Sequence, residues 1–144
     1  MVRVVDTTTG LTRSGRIFVA AITALSVAHH ADHVVRGNTG WPLDGGFNPF
    51  SASLFVYPVI AIGVVLSLAG RVGARFWAVL AGGAAVFVTA VHLGPAAGDA
   101  VEDIPGSYGS WAAGTLAVVI LVTFVTALVA HAAHELRRLR HRGG

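Results

Sequence analysis

The chain has 144 residues and contains no cysteine and no lysine. The first absence excludes disulfides, thiolate metal sites, iron–sulfur clusters and a cysteine nucleophile. The second excludes a lysine Schiff base or general base, since all ten cations are arginine. Charge is scarce as well: Asp, Glu, Lys and Arg make up 12% of the residues, against about 25% in a soluble domain. There is no phosphate-cradling glycine loop, no G-x-S-x-G elbow and no H-E-x-x-H pair. The chain is instead rich in apolar residues, at 54%, with a mean hydropathy of +0.70. That balance excludes an intrinsically disordered chain and argues against a soluble globular domain. The pI of about 10.6 is not the mark of a nucleic-acid binder. The net charge is only +3, and the arginines do not form a groove-lining patch.

Four apolar stretches run over about 16–36, 50–69, 74–93 and 111–136. Each has about 20 residues or more, enough to cross a hydrocarbon core of about 30 Å at 1.5 Å per residue. They are too long for strands and lack period-2 alternation. Ser14 and Ser110 are the expected N-caps. Gly37 and Gly70 follow helix ends, and Gly94-Pro95 stops the third span. Pro58, inside the second span, is expected to kink it. Ala20, Ala24 and Ala28, and the run Ala81-Gly82-Gly83-Ala84-Ala85, suit close helix packing. The expected fold is therefore an all-α integral membrane protein, a four-transmembrane-helix bundle over 14–136. A tail at 1–13 precedes it and a basic tail at 137–144 follows.

Arginine sets the expected orientation. Arg3, Arg13 and Arg16 precede the first span, Arg71 and Arg75 lie between the second and third, and Arg137, Arg138, Arg140 and Arg142 follow the fourth. The other side has Arg36 with Asp44, Asp99, Glu102 and Asp103. The positive-inside rule then puts both termini in the cytoplasm of a multi-pass cell-membrane protein. Trp41, Trp77 and Trp111 fall near span ends, where interfacial aromatics belong. A second reading makes the first stretch a signal peptide cleaved after Ala28, leaving an N-terminal His29 able to bind copper. An uncleaved span accounts for the same residues.

Histidine is over-represented, with seven, as many as Asp and Glu together. The segment His29-His30-Ala31-Asp32-His33, followed by Arg36, closes the first span. At about 100° per residue, His29, Asp32, His33 and Arg36 share one arc of about 100°, and His30 falls about 60° outside it. His29 and His33, at i and i+4, can reach one metal ion. Asp32 is expected as a third ligand or as the acceptor that fixes a histidine tautomer. Counting along the helices, His33 and His92 both lie about 24 Å up their spans, level in the outer leaflet. Tyr57 of span two comes within vertical reach, and Asp99, Glu102 and Asp103 lie just above.

These residues predict a metal site of His29, His33, His92 and Asp32. Neutral imidazole and carboxylate suit Zn, Cu, Ni, Co or Fe better than Mg or Ca. A haem b with His92 and His29 or His33 as axial ligands is the other cofactor reading. The string His29-His30-Ala31-Asp32-His33 is similar to the histidine-aspartate-histidine helix motif of nickel and cobalt permeases, which implies metal handling. That likeness covers five residues; those permeases have more spans, and the spacing before Asp32 differs.

Two other readings use the same residues differently. In a non-catalytic scaffold or small subunit of a membrane complex, Asp32 and Arg36 form an ion pair and His92 binds a carbonyl or water at the helix end. In a membrane enzyme acting on a lipid-like substrate, a histidine works with Asp32 or Asp103 as acid and base. His131, His134, Glu135 and Arg138 share a second arc, at the cytoplasmic interface, where snorkelling beside anionic headgroups is the simpler expectation than a second metal site. Because four helices barely enclose a pathway, a homo-oligomer or a larger membrane partner is expected beside the lipid bilayer.

Overall fold

A computed structural model describes residues 10–39, 48–94 and 99–141. Among them the chain is all helical: α1 (Arg13–Val35), α2 (Pro49–Ser53), α3 (Val56–Leu68), α4 (Ala74–Leu93), a 3₁₀ turn (Pro105–Ser107) and α5 (Trp111–Arg140). Four helical segments are long and apolar enough to cross a membrane, with α2 and α3 together forming the second. Trp41, Pro95, Asp44, Arg3 and Arg142 lie outside the described residues.

The helix ends follow local chemistry. α1 begins one turn earlier than the apolar stretch, because Thr12 rather than Ser14 caps it, its Oγ1 accepting from the Gly15 N–H at 3.0 Å. Ser110 caps α5 as expected. Gly37 and Gly70 have φ of +71° and +68°, the left-handed conformation that ends a helix at little cost only in glycine. The second span is broken rather than smoothly bent. Pro58 has no N–H to give Leu54, so the chain turns through Leu54 and Phe55, with Tyr57 N–H reaching back to the Leu54 carbonyl at 3.3 Å.

α5 is the central helix and packs along α4 and α1, while α3 touches its neighbours sparsely. The core runs through Ile22, Ala81, Ala85, Val88, Ala117, Leu121, Phe124 and Leu128. Ala20 and Ala24 are exposed, so the expected alanine stripe is not the packing face of α1. That helix packs instead through Val19, Ile22, Ser26 and His29, a face rotated away from the alanines. Trp77 also departs from expectation. It is 2% exposed and its indole N–H donates to Ser67 Oγ at 2.9 Å, tying α3 to α4 inside the bundle. Trp111 is 80% exposed.

Two further ties hold α3. Gly63 admits the Phe76 ring so closely that a Cβ there would sit 2.5 Å from it. At its other end Tyr57, with Ser53 of α2, meets His30. The connection between α4 and α5 is pinned as well. Ile104 is fully buried, and the Pro105 backbone rests on Gly114, where a Cβ would come within 2.6 Å.

Candidate metal centre

The helix face predicted from α1 converges with α4. One ligand atom from each of His29, His33 and His92 lies within 4.8 Å of the others, and all three residues are buried. The Nε2 atoms of His29 and His33 are 3.3 Å apart. Ligands at 2.0–2.1 Å from a tetrahedral zinc are separated by about 3.3–3.4 Å, so this pair already has the spacing of one coordination edge. The rings meet at centroid distances of 4.7 Å for His29–His33, 5.0 Å for His29–His92 and 5.5 Å for His33–His92.

His92 is oriented by the chain that follows it. Its Nδ1 lies 2.7 Å from the Asp99 carbonyl, an acceptor only, so Nδ1 carries the proton and Nε2 keeps a lone pair. The loop folds back here because the last carbonyls of α4 need donors: Asp99 N–H gives to Val91 at 3.4 Å and Val101 N–H to His92 at 3.1 Å. The Asp99 carboxylate comes with it, 3.3 Å from His92 Nδ1 and 3.8 Å from His33 Nδ1.

Asp32 is not part of the converging group. Its Oδ2 accepts from Arg36 at 2.8 and 3.1 Å, and its Oδ1 accepts from the Tyr108 hydroxyl. Arg36 in turn grips Asp99 with two bonds, at 2.6 and 2.7 Å. The order is therefore Tyr108, Asp32, Arg36, Asp99, then the histidines. Asp32 positions the arginine, and the arginine positions the carboxylate beside the imidazoles. Burial pushes the Asp99 carboxyl up, but the hydrogen bonds and charge of Arg36 outweigh it and hold the group below the ordinary carboxylate range. Tyr108 is pushed up to about 12 by burial and by its bond to the Asp32 carboxylate.

His30 lies off this face, as its angle predicted. Its Nδ1 faces the Ser26 carbonyl at 2.7 Å and the Tyr57 hydroxyl at 2.9 Å, and its Nε2 faces Ser53 Oγ at 2.7 Å. Tyr57 thus serves the α1–α3 contact and not the triad. Glu102 and Asp103 are exposed. Asp99 and Tyr108 are the participants that the spacing of residues did not single out. Both sit in a loop, where no periodicity relates a residue to the helices it will face; the one sequence signal is an acid placed shortly after His92.

At the opposite end of the bundle His131 and Glu135 are 1% and 0% exposed. Glu135 pairs with Arg138 at 2.5 Å, and its other oxygen is 3.9 Å from His131 Nδ1 and from His134 Nε2. His131 stacks on Phe18 at 5.2 Å. Arg138 thus neutralises the carboxylate, and no second three-ligand cluster forms among the described residues. Comparisons with models of protein families, with curated proteins and with solved structures found no match to this chain.

Proposed function

We propose that this is a four-span membrane protein, with both termini cytoplasmic, that holds one transition-metal ion in the outer half of the bilayer through His29, His33 and His92. The observation that carries the reading is the convergence of three buried imidazoles from two helices, two of them at the spacing of one coordination edge. Three neutral nitrogen donors suit zinc, copper, nickel, cobalt or iron. The triad leaves a fourth position, the arrangement of a catalytic or exchange site and not of a closed structural one. His92 is held in the tautomer that offers Nε2, and Asp99 places a negative charge beside the site. Asp32 acts at one remove, through Arg36.

A compact triad favours a single ion over haem b, whose disc must lie between two axial imidazoles. Elemental analysis of the detergent-purified protein, with a visible spectrum, tests this. The expected result is near-stoichiometric metal that is lost in a His33→Ala/His92→Ala variant. A colourless protein that stays metal-free after challenge with these ions overturns the reading and leaves the scaffold role. A Soret band redirects it to electron transfer.

A further inference from the structure

All three histidines of the triad line one cavity of about 400 Å³ between α1, α2 and α4. That lies within the range of small-ligand pockets, about 300–1,000 Å³. α2 closes it on one side with Pro49, Phe50, Ala52 and Ser53, and α3 adds Val56. Beyond the histidines the wall is almost wholly apolar, with Phe50, Val56, Leu80, Phe87 and Val91, and no Asp, Glu, Arg or Lys lines it among the described residues. The wall reaches the outside of the bundle at Val79, 71% exposed, and at Gly83, also exposed. A side opening at that level faces the hydrocarbon of a bilayer.

We infer that this cavity takes a single-chain carboxylate from the bilayer, its head group on the metal's fourth position and its tail between α2 and α4. The inference rests on the metal reading above. Charge selects the head group. A divalent ion on three neutral imidazoles brings two positive charges, and Arg36, shared by Asp32 and Asp99, leaves that network with one negative charge. One positive charge remains uncompensated in apolar surroundings, and an anionic head neutralises it. The uncharged wall selects the tail.

The test uses Co(II)-loaded full-length protein in phosphatidylcholine nanodiscs, titrated with acetate, butanoate, hexanoate and octanoate while the cobalt visible bands are followed. Free carboxylate is measured, so that partition into lipid is removed from the affinity. Affinity is expected to rise about fourfold per added methylene until the tail fills the cavity. Gly83→Leu is expected to flatten that rise while leaving acetate binding and the cobalt bands intact. A Cβ at Gly83 meets no atom within 4 Å, so the fold accommodates the substitution. Equal affinity for acetate and octanoate in the wild-type protein overturns the inference, whether or not the variant folds. So does a full chain-length series in Gly83→Leu. Absence of cobalt bands overturns the metal reading and this inference together, whereas bands with a flat series overturn the inference alone.

Discussion

The same pattern of residues occurs at both ends of the bundle and meets different surroundings. His29, Asp32, His33 and Arg36 on α1 have the same spacing as His131, His134, Glu135 and Arg138 on α5, with the acid and the second histidine exchanged. Each set places two histidines, one acid and one arginine on a single helix face. At the α1 set, the facing elements bring His92, the Asp99 carboxylate and the Tyr108 hydroxyl. At the α5 set, they bring Phe18, Trp77 and Gly15. In the first place the arginine is occupied by two carboxylates and the imidazoles converge on one another. In the second the arginine takes the acid of its own set, and the His131 ring stacks on Phe18. A helix face supplies donors; whether they form a site depends on what the next helix presents.

The largest expected effect tests whether the two faces differ in metal binding. His29→Ala and His92→Ala are each expected to reduce bound metal to background in elemental analysis, while His131→Ala leaves the stoichiometry unchanged. Loss of metal in all three would erase the distinction.

Removing the arginines compares their burdens. Breaking a buried ion pair from one side costs about 3–5 kcal/mol. Arg138→Met strands the Glu135 carboxylate, and Arg36→Met strands those of Asp32 and Asp99. Thermal unfolding in detergent is expected to show both variants destabilised. Glu135→Gln added to Arg138→Met should recover much of the second loss, because the stranded charge is gone.

Asp99→Asn is a smaller test, confined to the first face. The hydrogen bond from His92 to the backbone carbonyl survives, but the charge beside the imidazoles is lost. Metal affinity is expected to fall about 10–100-fold, the usual range for an outer-shell partner, as read by competition with a chelator. Glu135→Gln should leave it unchanged.

The smallest effect is a titration. Tyr108 is held protonated up to about pH 12 by burial and by its bond to Asp32. A group whose folded pKa is raised stabilises the fold fully below its unfolded value, about 10, and loses that contribution as pH rises through its folded value. The difference in 295-nm absorbance between the wild-type protein and Tyr108→Phe is expected to show a transition near pH 12. A transition near pH 10 would mean that Tyr108 is not bonded to the carboxylate.

Much of this was legible in one dimension. Long apolar runs and their caps gave the four helices, Pro58 its break, and the 100° step the shared face of His29 and His33 with His30 turned aside. The rise per residue put His92 level with His33. The alanine stripe and the position of Trp77 were misread for one reason: small or amphipathic residues fit a packed face and a lipid-facing one equally well in a helix of this composition. Where membrane lipid and protein interior are both apolar, hydropathy cannot say which way a helix is turned.

By itself the sequence determined the four spans, their approximate lengths, the Ser110 cap and the angular relation of residues within each helix, because those follow from backbone geometry and side-chain chemistry within a few positions. Only the tertiary structure decided that α1 turns its histidines toward His92, that the loop returns Asp99 and Tyr108 over them, and that α1, α2 and α4 leave a cavity beside the triad. Those outcomes depend on Arg36 meeting Asp99 and Asp32 meeting Tyr108, 63 and 76 positions along the chain. Contacts of that range are settled by packing, which no local pattern encodes.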